Sequence, residues 1–326
     1  MFTQLDDNKI QTPFGILSGV KTFSRHENGE LRDVTLREQN MILTHAGELV
    51  PFFDKETPRR KYKPSVQFHE NGLVKAVYLE DQQEIQTPIG EFPAELVTFY
   101  DTGELHRFFP LDGKITGMWS EEEERALNIP FNFDFGFAKF TAMLIGMTFF
   151  KSGDVRSMTL FPGEQIDVVT PSGKIPVRTG FSLYPNGSLE SCEPASPAAV
   201  QTPIGSISAY DINAIGVNAD ANSLVFDPAG RVKSLITTSS RIAVLNADGV
   251  MKFITPIEVV LPDEENPSEI IPVKISFDYD TDTVALTVQS TFRYHISECK
   301  FSIFKSSFTA PSCSPSDCAS CSICGG

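Results

Sequence analysis

The sequence has no apolar run long enough to cross a bilayer and no excess of basic residues. Its longest apolar stretch, near residues 137–150, is interrupted by Lys139, Thr141, Gly146 and Thr148, and is too short and too polar for a membrane-spanning helix. Lys and Arg number 27 against 42 Asp and Glu, for a formal net charge of −15. Since a negative field repels phosphate backbones and anionic lipid surfaces, we expect neither nucleic acid nor a membrane as a partner.

Common catalytic and targeting motifs are also missing. There is no G-x-S-x-G motif, P-loop or dinucleotide fingerprint, and the five histidines show no metal-binding spacing. The first residues, MFTQLDDNKIQTP, have neither the basic nor the apolar segment of a secretory signal. We therefore expect a non-enzymatic, cytoplasmic protein whose cysteines stay reduced. A hydrolase acting on a polymer stays an alternative, because acidic residues are numerous and any two could form a catalytic pair.

What the sequence does have is one motif that occurs six times. The copies are marked by Gly29, Gly72, Gly103, Gly153, Gly187 and Gly230. Apolar residues stand two and five positions after each glycine, and the last five copies have Phe or Leu four positions before it. The first copy has Arg25 there, with Phe23 on the same strand face two residues earlier.

Each copy is predicted to be a β-hairpin. Asn28, Asn71 and Asn186 stand directly before their glycines, and both residue types tolerate positive φ, which makes Asn-Gly between apolar runs a strong hairpin signal. One hairpin cannot bury its apolar face alone, so we predict that the copies stack in series around a continuous core.

A second motif, Thr-Pro-x-Gly, predicts tight turns between the hairpins. Pro fixes φ at the first turn position, and Gly permits a left-handed conformation two residues later. The copies are Thr12-Pro13-Phe14-Gly15, Thr87-Pro88-Ile89-Gly90, Thr170-Pro171-Ser172-Gly173 and Thr202-Pro203-Ile204-Gly205, with a degenerate copy at Thr255-Pro256-Ile257-Glu258.

The pattern Gly-x-aliphatic-basic-Ser, clearest at residues 153–157 and 230–234, resembles the variant MORN repeats of bacterial antitoxin-like and scaffold proteins. The resemblance covers roughly residues 11–235. It implies an elongated, twisted sheet and a role in binding or assembly, and it assigns no catalytic residues.

One short helix interrupts the β pattern. Ser120 and Glu123 form a capping box, so we predict a helix from there to about Leu127, ending before Pro130. We expect its acidic start, residues 121–124, to be solvated. The basic stretch at residues 59–63 is likewise expected to be a solvated loop, with docking of an acidic partner as the alternative.

The predicted fold is therefore all-β: an elongated antiparallel sheet or solenoid of β-hairpin repeats, with one short helix and a small C-terminal β unit. We predict a repeat domain over residues 1–243, a small β unit or cap over 244–308 and a flexible cysteine-rich tail over 309–326. Exposed sheet edges could pair with a second copy as a homodimer.

The tail carries the strongest chemical signal in the sequence. Cys313, Cys318, Cys321 and Cys324 lie within twelve residues, spaced C-x4-C-x2-C-x2-C by mostly small residues. Four thiolates can bind tetrahedral zinc or an iron–sulfur cluster, and the C-x2-C-x2-C part resembles cluster-binding runs in ferredoxins. The outer spacing does not match the common ferredoxin patterns, and it does not match the two separated cysteine pairs of a zinc ribbon. The spacing is therefore compatible with either zinc or an iron–sulfur cluster.

Three functions are compatible with these features. In the first, a non-enzymatic β-repeat scaffold presents a zinc ion or iron–sulfur cluster, bound by the four tail cysteines, to a partner protein. In the second, a MORN-like scaffold for protein–protein interaction carries a redox-active or modified tail. The third is the polymer hydrolase. Cys192, at an apolar repeat position, is expected to be buried and inert. Cys299, in the strand-like segment 295–304, is not expected to bind the metal.

Overall fold

A computed structural model describes residues 3–6, 8–53, 56–60, 63–214, 221–260 and 268–305. These residues form 30 strands and one short helix, which confirms the all-β prediction. The helix, α1 (Glu121–Arg125), has the predicted capping box between Ser120 and Glu123. Among the described residues, no helix is both long enough and apolar enough to cross a membrane.

The chain divides into two compact units. The first is made mainly of Met1–Val169 and Pro176–Cys192, and the second of Thr170–Ile175, Glu193–Ala214 and the described residues from Asn222 onward. The boundaries predicted at residues 243 and 308 stay predictions.

The first half of the strands in chain order are β1 (Thr3–Asp6), β2 (Lys9–Thr12), β3 (Gly15–Ser18), β4 (Val20–Arg25), β5 (Leu31–Leu36), β6 (Ile42–Thr44), β7 (Gly47–Leu49), β8 (Val66–Phe68), β9 (Val74–Thr87), β10 (Gly90–Phe99), β11 (Leu105–Phe109), β12 (Phe131–Asp134), β13 (Lys139–Ala142), β14 (Leu144–Phe149) and β15 (Val155–Leu160). The second half are β16 (Ile166–Thr170), β17 (Gly173–Leu183), β18 (Leu189–Pro194), β19 (Ala198–Thr202), β20 (Gly205–Ala209), β21 (Leu224–Phe226), β22 (Val232–Thr237), β23 (Ser240–Leu245), β24 (Met251–Ile254), β25 (Ile257–Val260), β26 (Ser268–Ile271), β27 (Val273–Asp278), β28 (Thr283–Thr287), β29 (Thr291–His295) and β30 (Lys300–Lys305).

Sixteen of these strands belong to one antiparallel sheet. In the first unit nine of them follow the order β4-β5-β8-β9-β10-β11-β14-β15-β17, and in the second unit five follow the order β21-β22-β27-β28-β29. The other two members of the sheet are β16, which pairs with β17, and β18. The remaining strands form small sheets: β1-β2-β3, β6-β7, β12-β13, β19-β20, β25-β26 and β24-β23-β30.

The predicted hairpin turns are present at all six repeat glycines. The glycine amide donates to the carbonyl three residues earlier, as in Gly72 N to His69 O at 2.9 Å, and the glycine φ lies between +79° and +101°. This geometry is a three-residue loop that ends in a left-handed glycine. The equivalent bond occurs at Gly249, whose amide donates to the Asn246 carbonyl at 3.0 Å. This turn is therefore also present beyond residue 243, where the predicted repeat domain ends.

The asparagines before the glycines stabilise the turns through their side chains and do not adopt positive φ. Among the described residues, Thr179 and Asp282 are the non-glycine residues with positive φ. Asn71 instead accepts a hydrogen bond through Oδ1 from the Leu73 amide at 3.0 Å. The side chain therefore fixes the turn, and the glycine alone takes the left-handed conformation.

A β-bulge explains the odd spacing of the apolar repeat positions. Residues three apart on a regular strand point to opposite faces, yet Leu105 and Phe108 are both buried. Leu105 pairs with Phe99, and Arg107 pairs with Thr98, which leaves His106 as an extra residue. A bulge of this kind returns the next residue to the core face. The same one-residue shift occurs in the hairpins of Gly29, Gly72, Gly153 and Gly230.

Side chains at the turns join successive repeats. Three positions before the glycine, His69 bonds through Nε2 to the Phe99 carbonyl of the next hairpin at 3.0 Å. Tyr100 likewise donates its hydroxyl to the Phe149 carbonyl at 2.7 Å. Because a carbonyl oxygen only accepts, Nε2 of His69 carries the proton. Each hairpin therefore positions the turn of its neighbour.

The Thr-Pro-x-Gly segments are tight turns, as predicted. Thr87 Oγ1 donates to the Gly90 carbonyl at 2.7 Å, and this turn joins the hairpin of Gly72 to that of Gly103. The other three Thr-Pro-x-Gly segments make the same bond. The segment from Thr44 to Gly47 also makes it, at 3.0 Å and without proline. The degenerate copy at Thr255 closes no hairpin, because the strands that flank it pair with other strands.

Candidate functional site

The two faces of the first unit's sheet differ sharply in chemistry. One row of cross-strand neighbours is Phe23, Val34, Val66, Val77, Val97, Phe108, Met147, Met158 and Phe181. All of these side chains have 0% exposure except Phe23, on the end strand β4, at 38%. This row is the core face.

The adjacent row points to the opposite side, which we call the polar face. Its members are Ser24, Asp33, Gln67, Ala76, Thr98, Arg107, Thr148, Ser157 and Ser182. Eight of the nine are polar or charged. Alternation between an apolar row and a polar row is what a sheet with one buried face requires. Its members from β4 to β11 are partly exposed except Ala76, whereas those on β14, β15 and β17 are at most 4% exposed. The polar face is therefore open to contacts outside the core only over β4 to β11.

A groove of about 620 Å³ lies on the polar face over strands β8 to β11. Four members of the polar row, from Gln67 to Arg107, line it. Because Ala76 and Thr98 are small, larger side chains around them can form walls. We call this feature the aromatic groove, after the rings of Tyr78, Tyr100 and Phe109.

The charged groups of the groove are mainly cationic. The Arg107 guanidinium stacks on the Phe109 ring, 4.6 Å from its centroid, and donates to Thr159 Oγ1 at 3.3 Å. Lys75, the bulge residue of its hairpin, is exposed, and no ion pair is found for it among the described residues. The acidic lining residue, Asp101, pairs with Lys151 at 2.8 Å, which lowers the Asp101 pKa.

Two further rings shape the groove. His106 packs on Tyr100, with ring centroids 4.5 Å apart. Tyr78 is partly buried, and burial raises the pKa of its phenol, with a smaller contribution from the nearby Asp112 and Asp33 carboxylates. Like any phenol of ordinary pKa, its hydroxyl is a hydrogen-bond donor at neutral pH.

Beneath the basic stretch lies a buried ion network rather than the predicted solvated loop. Arg59 is only 13% exposed and contacts Glu95 Oε2 and Glu124 Oε2, each at 2.7 Å. Arg60, at 12%, also contacts Glu95, at 3.3 Å. Glu124, the last residue of the acidic helix start, is only 6% exposed and is not solvated. The solvated-loop prediction was therefore wrong at Arg59 and Arg60. The solvated helix start was wrong at Glu124 alone, since residues 121–123 are exposed. Long-range pairing lets the buried charges leave water.

The network holds several backbone groups in place. Glu124 also accepts from Gly113 N at 2.8 Å and from the Trp119 indole Nε1 at 2.7 Å. Burial opposes ionisation of Glu95, but hydrogen bonds from Arg59 and the charge of Arg60 outweigh it, so the Glu95 pKa is lowered. Fully paired buried charges of this kind fix a loop. They leave no open position for a substrate, so we assign the network a structural role.

The predicted metal ligands, Cys313, Cys318, Cys321 and Cys324, lie outside the described residues. Cys192 is fully buried, in agreement with its apolar repeat position. Cys299 lies in the turn between β29 and β30 rather than within a strand, and burial, with the Glu298 charge, raises its thiol pKa. In the described part of the chain, no three His, Cys, Asp or Glu residues come together as a metal site.

Sequence reasoning missed the aromatic groove. Its rings come from two repeat positions: Tyr100 stands three residues before Gly103, and Tyr78 and Phe109 stand six residues after Gly72 and Gly103. Alignment of the copies on their glycines would have shown His or aromatic residues at the first position in five of the six copies. No protein-family model, no curated protein sequence and no solved structure matches the chain.

Proposed function

We propose that the chain is a non-enzymatic scaffold of the cytoplasm. Its repeat sheet binds a partner protein, and its four-cysteine tail carries zinc or an iron–sulfur cluster to that partner. The observation that carries the proposal is the cysteine spacing. Four thiolates separated by short, mostly small segments can surround one metal centre.

The polar face supports the scaffold part of the proposal. Hydrogen bonds from side chains to backbone carbonyls join the hairpins into a regular platform. The row opposite the core is mostly polar and partly exposed from β4 to β11. Rigid repeats with an open face are suited to binding an extended partner.

Thiol alkylation tests the ligand assignment residue by residue. With N-ethylmaleimide at pH 8, the metal-loaded full chain should gain one adduct, at the partly exposed Cys299, because Cys192 is buried. After metal removal with a strong chelator, five adducts are expected: the four tail thiols plus Cys299. Intact-mass spectrometry counts the adducts, and peptide mapping locates them.

The control variant is Cys299→Ser, which should lose one adduct in both states and keep the difference between them. An equal number of adducts before and after chelation would refute metal binding by the tail. Protection that maps to Cys299 instead of the four tail cysteines would refute the ligand assignment.

A further inference from the structure

The aromatic groove combines features of a peptide-binding site. It crosses four neighbouring strands, β8 to β11, so its floor is roughly 14 Å wide at about 4.8 Å per strand spacing. An extended chain of four or five residues covers that distance at about 3.3 Å per residue. The groove volume of about 620 Å³ also lies within the range of pockets that bury most of a small ligand.

The charge of the groove opposes the charge of the molecule. The chain carries a formal net charge of −15, yet Lys75 and Arg107 line the groove, and its carboxylate, Asp101, is already paired with Lys151. At physiological ionic strength, charges more than about 8 Å away are largely screened. The Asp33 and Asp112 carboxylates near Tyr78 are also paired, with Arg32 and Lys63. The cations that line the groove therefore favour a carboxylate ligand.

Hydrogen-bond capacity points to the same ligand chemistry. The Lys75 ammonium has three donors, and no carboxylate pairs with it in the described part of the chain. The Tyr78 hydroxyl, like any phenol of ordinary pKa, is protonated at neutral pH and can donate a hydrogen bond. A carboxylate accepts from such donors, whereas a Lys or Arg side chain of a ligand cannot.

The rings define the second requirement. Tyr78, Tyr100 and Phe109 offer apolar and π surface beside the cations. Aromatic side chains gain both buried area and favourable ring contacts in such a site. In an extended peptide, residues two apart point to the same side. A ligand can thus direct an aromatic residue and flanking acidic residues into the groove together.

We propose that the aromatic groove binds an extended acidic segment of a partner protein, in which an aromatic residue lies two positions from a Glu or Asp. This inference deepens the proposed function, since it names the chemistry of the partner on the scaffold face. It does not depend on whether the tail holds a metal.

Fluorescence anisotropy on the full chain tests the inference. The probes are labelled pentapeptides, Glu-Ser-Tyr-Ser-Glu and its basic counterpart Lys-Ser-Tyr-Ser-Lys, both capped at the C-terminus. We expect the acidic probe to bind with Kd below about 100 μM and at least tenfold more tightly than the basic probe. Raising NaCl from 50 to 500 mM should weaken acidic-probe binding.

A matched pair of charge reversals locates the site. Lys75 and Lys233 are both exposed bulge residues three positions after a repeat glycine, and Lys75 alone lines the groove. Lys75→Glu should weaken acidic-probe binding about tenfold, and Lys233→Glu should change it less than twofold. Both variants change the net charge equally and should stay folded.

Any of three results would overturn the inference. The two probes could bind equally, the acidic probe could fail to bind up to 1 mM, or the two charge reversals could have equal effects. Zinc and iron are measured in the same preparation. Loss of peptide binding in a metal-loaded chain refutes the groove assignment alone, and peptide binding by a metal-free chain refutes the tail assignment alone.

Discussion

Arg59→Met is expected to lower the free energy of unfolding by about 3–5 kcal/mol. The substitution removes the cation that pairs with both Glu95 and Glu124, which are 8% and 6% exposed. Two carboxylates then stay buried without their principal partner, and an uncompensated buried charge costs far more than a solvated one. Met keeps most of the side-chain volume, so the loss reports on charge rather than on packing.

The tryptophan makes this loss measurable at the site itself. Trp119 is the one tryptophan in the sequence, and its indole donates to Glu124 at 2.7 Å. Urea unfolding followed by Trp119 fluorescence therefore reports on the network. The control is Arg32→Met: Arg32 is 54% exposed and pairs with Asp33 at 2.8 Å, and an exposed pair is worth at most about 1 kcal/mol. Equal losses in the two variants would contradict a buried network.

The network also predicts how stability depends on pH. The Glu95 pKa is lowered from its ordinary value of 4.5 by Arg59 and Arg60, against the opposing effect of burial. A carboxyl with a lowered folded-state pKa stabilises the fold above its unfolded pKa, and that contribution is lost as the pH falls through the folded-state value. The fold should therefore weaken below about pH 4.5, and Arg59→Met should reduce the part of this dependence due to Glu95.

Phe149→Ala should cost about 3–5 kcal/mol, the usual range for removal of a buried phenyl group. Phe149 stands four positions before Gly153, pairs with Val155 and has 0% exposure. Its ring packs on Phe108 with centroids 6.2 Å apart. Truncation leaves a cavity at the junction of two hairpins, and the bulged strands around it can close only partly.

Phe23→Ala is the matched control, because Phe23 is the aromatic residue of the first copy and is 38% exposed on the end strand β4. Its loss should cost less than about 1 kcal/mol. Urea titrations followed by far-UV circular dichroism give both values. If Phe149→Ala costs no more free energy of unfolding than Phe23→Ala, the position four residues before the repeat glycine does not face the core.

Local features of the fold could be predicted from the sequence. A turn depends on a few adjacent residues, so Gly103 and its flanking Phe99 and Leu105 were sufficient to indicate a hairpin. The capping box of Ser120 and Glu123 was equally local. The bulge was not recognised, although its signal was present: two core residues three positions apart cannot share a face of a regular strand.

Features built by long-range pairing could not be predicted. Arg59 lies 36 residues from Glu95 and 65 from Glu124, and in a sequence all three read as ordinary surface charges. Only the fold brings them together, and only then does burial become favourable. The aromatic groove has the same origin, because its rings come from strands that are neighbours in the sheet, not from adjacent positions in the chain.

The metal content of the full chain, purified without oxygen, tests the proposed function most directly. We expect either about one zinc per colourless chain or about four iron per chain with the brown colour of an iron–sulfur cluster. In both cases the metal should be lost when Cys313, Cys318, Cys321 and Cys324 are replaced by Ser. A folded chain that holds neither zinc nor iron would contradict metal binding by the four tail cysteines.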